Sequence, residues 1–144
     1  MAVQTCIFKV EGQPIGKSRP RFSTKTGKAY TPSKTREYEK KVKQSAWVAM
    51  SKLKLKPSTS RCSVIITCSM EIPKSYSKQK RIFCEAGVII PPRPDIDNLI
   101  KSALDGANEI VYLDDKQVWH VSAFKKYTEH DERPSMLVKV QWED

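Results

Sequence analysis

The chain has 144 residues, 39% hydrophobic and 29% charged, a length and balance that suit one folded domain over residues 1–144 and exclude wholesale disorder. No apolar run approaches the roughly 18 residues that span a bilayer, and Met1 to Val10 lacks a secretory leader pattern, so a cytoplasmic protein with no membrane partner is expected. Twenty-six Lys and Arg against sixteen Asp and Glu give a net charge of +10, which points to a polyanionic partner, nucleic acid before membrane.

Val3 to Glu11 alternates, with Cys6, Phe8 and Val10 on one face, and reads as a half-buried strand. Gly12 to Thr31 is rich in Gly, Pro and basic residues and reads as loop plus a short hairpin turning at Lys25-Thr26-Gly27-Lys28. Thr31 as N-cap and Pro32 at the first helical position open a long amphipathic helix whose apolar stripe is Tyr38, Val42, Ala46, Ala49, Met50 and Leu53. Its other face carries Lys34, Arg36, Lys40, Lys41 and Lys43, either a solvated face or a ridge that tracks phosphates. After a linker, Leu55 to Ser60, the run Cys62 to Ile72 is a central strand ended by Pro73. Ser77 to Ala86 is a short helix capped by Ser77 and closed by Gly87, and Val88 to Arg93 is extended. A second main helix runs from an Asp97 cap to about Asn108, with Leu99, Ile100, Ala103, Leu104 and Ala107 on its apolar face. Lys116 to Tyr127 and Ser135 to Trp142 are the last strands. The order predicts an α+β domain with a mixed sheet and two main helices on it.

Charge is unevenly placed. Residues 1–60 hold fourteen Lys and Arg against three acids, and residues 61–144 hold twelve against thirteen, six of them within Asp95–Asp115. A basic half beside an acidic knot suits a metal-dependent enzyme acting on phosphodiesters. Asp95 and Asp97, two apart in an extended approach to a helix and stiffened by Pro94, can aim both carboxylates one way, with Ile96 directed back into the protein. Carboxylates that converge repel unless a cation lies between them, and hard oxygen ligands favour Mg²⁺ or Mn²⁺ over Zn²⁺. Lys101, four residues after Asp97, shares its helical face and is either an ordinary ion-pair partner or a group that holds a scissile phosphate. Asp114-Asp115 follows the helix after a short connection and can return to the same end of the sheet; on an extended strand only one of the pair would reach the metal. D-x-D alone is weak; D-x-D-N-x-x-K, a helix and then D-D is much stronger. Cys6, Cys62, Cys68 and Cys84 form no C-x-x-C pair and, with His120 and His130, no zinc pattern, so they are expected to be reduced and mostly buried.

The segment Arg93 to Val118, RPDIDNLIKSALDGANEIVYLDDKQV, together with GKSRPRF at Gly16–Phe22 and TPSKTREYE at Thr31–Glu39, resembles the RusA-type Holliday junction resolvases. The resemblance implies a homodimeric, Mg²⁺-dependent endodeoxyribonuclease of α+β fold that cuts four-way DNA junctions by paired symmetric nicks in recombination and repair, with no small-molecule cofactor. The metal aspartates of that family map to Asp95, Asp97 and Asp115, with Asp114 the lesser candidate, and its essential lysine maps to Lys101. Lys17, Arg19, Arg21 and Arg93 are the expected DNA contacts, and Trp47, Val48 and Ile100 candidate dimer contacts. Two rival functions are a non-catalytic nucleic-acid-binding module and a metal-dependent nuclease of other branched substrates; a third is a degenerate protein whose carboxylates only bind Ca²⁺.

Overall fold

Alternation at the start of the chain becomes strand β1, Val3–Glu11, with Cys6, Phe8 and Val10 buried. The computed structural model describes residues 2–30 and 32–144. The basic loop then folds into a hairpin of β2, Arg21–Phe22, and β3, Ala29–Tyr30, closed through Ser23–Lys28. Helix α1, Ser33–Leu53, buries Thr35, Tyr38, Val42, Ala46 and Met50 at three- and four-residue spacing. Leu53, expected in this stripe, is exposed, because the helix ends there and Lys54 turns left-handed to close it. Pro32 is the cap rather than the first helical residue; the Thr31 expected as cap lies outside the described residues.

Strand β4, Cys62–Met70, is central as expected: the sheet order is β1-β6-β4-β5, with β5 Val118–Tyr127 and β6 Ser135–Glu143. Ile72 is buried but lies beyond the end of β4. β4 pairs antiparallel with β6 and parallel with β5, so the sheet is mixed. A parallel pair cannot be joined by a hairpin; its chain must cross over and return. That crossover carries α2, Lys78–Glu85, and α3, Ile96–Ala107, and so holds every candidate catalytic residue. Ser77 caps α2 through its Oγ, which accepts from the Lys80 N–H at 3.2 Å.

In-register rows such as Cys6–Val140–Val64–Val121 and Phe8–Val138–Ile66–Ala123 form the sheet's core face. Against this core, α1 and α3 cross so closely that a Cβ at Gly106 would overlap Val42. All four cysteines are free and buried; desolvation pushes Cys6 up to about 11 and Cys68 up to about 12, which keeps both as thiols. No helix among the described residues is long and apolar enough to cross a membrane.

Two boundaries in the crossover differ from the sequence expectation, and both bear on the site. α3 begins at Ile96, with Asp95 and not Asp97 in the cap position, and Asp97 in the first turn. Ile96 is exposed rather than turned inward; burial along α3 begins only a turn later, at Leu99. Asp115–Gln117 forms a 3₁₀ turn, and β5 starts only at Val118.

Candidate active site

The start of α3 is held from three sides. The N–H of Lys17 donates to the Asn98 carbonyl at 2.9 Å, and Ser102 Oγ donates to the Ile15 carbonyl at 2.7 Å. Gly16 is needed for this approach: a Cβ there would come within 2.8 Å of Pro94 Cβ and 3.0 Å of Asn98 Cβ. From β5, Lys125 Nζ donates to the Pro94 carbonyl at 3.1 Å. Asp95 and Asp97 are therefore exposed carboxylates on a well-supported backbone. Asp95 shares a groove of about 830 Å³ with Arg19, Lys34, Arg93 and Asn98. Such a groove offers cations for a phosphate backbone beside carboxylates for a metal.

The acid pair sits on a turn built in the same way. Asp114 Oδ1 accepts from the Lys116 N–H at 2.9 Å, and Gln117 Oε1 accepts from the Asp114 N–H at 3.0 Å. The Lys116 N–H holds the Asp114 carboxyl below its ordinary value. Asp115 shows the opposite trend: desolvation first, then the neighbouring Asp114 and Asp105, push its carboxyl up. Gln117 Nε2 also donates to the carbonyls of Ser58 and Ser60, each at 2.8 Å. Tyr112 is fully buried beneath the turn, and its hydroxyl donates to the Leu104 carbonyl at 2.6 Å.

Asp97, Lys101 and Asp105 recur every four residues and line one side of α3. Lys101 is exposed and forms no ion pair among the described residues, so the Asp97–Lys101 pair is not formed. Lys17 is differently placed: its Nζ lies 2.6 Å from Asp105 Oδ2 and 3.9 Å from Glu39 Oε1. The Asp105 hydrogen bond raises the Lys17 ammonium's pKa. Lys17 thus ties the loop to α3 and α1 while lining the groove with Arg19 and Arg93; Arg21 lies outside it on the exposed hairpin.

Among the described residues no three His, Cys, Asp or Glu side chains come close enough together to ligate one ion. Asp95 and Asp97 belong to the N-terminal end of α3, whereas Asp115 is influenced by Asp105, about 12 Å of helical rise beyond Asp97. The carboxylates extend along the helix instead of meeting at a point. Sequence reasoning passed over Asp105, Gln117 and Lys125. Asp105 had a usable signal, its four-residue step from Lys101; the partners of Gln117 and Lys125 lie 57 and 31 residues away, and no local pattern marks them.

A family model described as "Endodeoxyribonuclease RusA" matches residues 11–141. A protein of Bacillus subtilis (strain 168) described as "Uncharacterized protein YqaN" is 33% identical over 144 residues, covering 94% of this chain and 97% of its own length.

Proposed function

Because the chain belongs to the RusA endodeoxyribonuclease family, we propose that it is a divalent-metal-dependent nuclease that resolves four-way DNA junctions by paired nicks. The observation that carries this reading is Asp95 at the head of α3, set beside Arg19, Lys34 and Arg93 in one groove, with Asp97 exposed in the first turn just beyond it. The donor set fits a hard cation: every candidate ligand is a carboxylate, and desolvation and then the neighbouring Asp114 and Asp105 make the Asp115 carboxylate one that a cation would relieve. Although the three carboxylates do not converge as they stand, Asp95, Asp97 and Asp115 would hold Mg²⁺, the ion offsetting the repulsion that keeps them apart, with Mn²⁺ able to replace it. Asp114 is the weaker candidate because one of its oxygens already caps the 3₁₀ turn. A bound ion supplies an activated water and neutralises phosphate charge. Arg19, Lys34 and Arg93 bind and orient the strand, and Lys101 stabilises negative charge developing on the scissile phosphate. The products are 5′-phosphate and 3′-hydroxyl ends.

A second nick at a two-fold junction needs a second site, which a symmetric homodimer provides. β1 is an edge strand, and beside it Ile7, Val48, Ala49 and Leu53 line an apolar groove of about 760 Å³. An unprotected edge next to an apolar groove favours strand pairing between copies. Incubation with a four-way junction, a duplex and a single strand, each with Mg²⁺ or EDTA, tests the activity. Paired nicks on the junction with Mg²⁺ alone are expected. Junction binding without cutting under any divalent metal would instead make this a binding module.

A further inference from the structure

Beside the acidic turn, β5 opens with an indole left in water: Trp119 is 62% exposed. Tryptophan pairs a large apolar face with a polar N–H and is enriched at interfaces for that reason; what sets Trp119 apart from the other exposed aromatics is its company. The Arg61 guanidinium lies over its ring, 4.9 Å from the centroid, and the His120 ring tilts against it at 5.7 Å. Arg61 and Trp119, with Ser63, Gln141, Trp142 and Glu143, line a pocket of about 590 Å³ at this end of the sheet. That volume falls within the range of small-ligand sites.

The pocket is joined to the candidate catalytic turn. One side chain, Gln117, binds both the Asp114 N–H and the carbonyl of Ser60, the residue before Arg61. Trp119 follows Asp115 by only four residues, a reach of at most about 14 Å. The chemistry also discriminates between parts of a nucleotide. A phosphate would meet the Glu143 carboxylate in this pocket, whereas a base offers a flat π face to the indole and guanidinium.

We propose that Arg61 and Trp119 form a stacking platform for an unpaired or unstacked nucleobase of the branched DNA substrate. The inference rests on the nuclease reading and adds a determinant of branch recognition to it. Bases at a branch have lost a stacking neighbour, so turning one onto an aromatic platform is less costly there than within a duplex. Stacking accepts any base, so the platform selects structure before sequence.

Tryptophan emission tests this in a Trp47→Phe background, with the emission of the Trp47→Phe, Trp119→Phe protein, which keeps only the buried Trp142, subtracted so that the difference reports Trp119. In EDTA, a four-way junction and a thymine single strand are expected to quench Trp119, and a duplex is not. Trp119→Ala should weaken junction binding about tenfold and leave duplex binding unchanged, while Trp119→Phe retains most of the affinity. Unaltered junction binding by Trp119→Ala would overturn the proposal. So would a fall in sedimentation mass on the same substitution, which would make the pocket a contact between copies. Should the parent bind no junction, the nuclease reading fails, and the single-strand arm still decides the platform.

Discussion

At the scale of single residues, Asp97 and Asp115, two candidate metal ligands, have different neighbours and different consequences. Asp97, exposed in the first turn of α3, should lose cleavage by about a hundredfold or more as Asp97→Asn while junction affinity is retained; gel-shift and nicking assays on one preparation check both. Asp115 is pushed up by desolvation, Asp114 and Asp105. Its ionisation therefore works against folding, a penalty absent at low pH that sets in as pH rises through the carboxylate range. Asp115→Asn should cut no DNA yet melt at or above the parent's temperature at pH 7, and thermal melts with and without Mg²⁺ should show metal stabilisation only in the parent. Gly106 has the opposite character, since its substitution touches packing alone. Gly106→Ala forces a methyl into Val42 and should destabilise by about 1–3 kcal/mol, read by urea unfolding. The motif spacing identified the candidate acids; the clash at Gly106 was invisible, because Val42 lies on another helix 64 positions away.

At the scale of elements, the crossover from β4 to β5 is supported by contacts that reach out of their own segments. Lys125 on β5 fixes the Pro94 carbonyl just before Asp95. Lys125→Met should lower the cleavage rate and raise the Mg²⁺ requirement while leaving salt-dependent DNA affinity nearly unchanged, which a metal titration of nicking separates. The β5–β6 connection has its own clasp: Glu132 accepts from Ser69 Oγ at 3.1 Å, from Lys126 Nζ at 3.0 Å and from the Glu129 N–H at 2.8 Å. Burial alone would raise its carboxyl, but these donors together hold it below its ordinary value of 4.5. A depressed folded-state pKa stabilises above the unfolded value, and that contribution is lost as pH falls below about 4.5 and through the lower folded value. Glu132→Gln should flatten that part of the acid-unfolding curve. Strand and helix identities were readable from periodicity. Their ends were less so, because Pro32 and Asp95 take extended cap positions and the Asp114 cap winds Asp115–Gln117 into a 3₁₀ turn.

At the scale of the molecule, a basic N-terminal half folds over an acidic crossover. Binding should fall steeply with salt, and Arg19→Ala with Arg93→Ala should lower the slope of log affinity against log salt by about two; Lys17→Ala should cost stability first, because its ammonium is engaged by Asp105 and Glu39. Composition, the period of apolar residues and the D-x-D-N-x-x-K to D-D spacing determined, by themselves, an α+β chain with a mixed sheet and the acids to examine. Those features are local, and local patterns record which face of an element is buried and which residues sit together in the chain. The tertiary structure decided what no spacing encodes: Lys17 as an internal tie, Lys125 beneath Pro94, Asp105 beside Asp115, and Arg61 laid over Trp119. Each joins residues from separate elements, and which elements meet is decided by the parallel β4–β5 crossover and the close α1–α3 packing, through burial of the shared core.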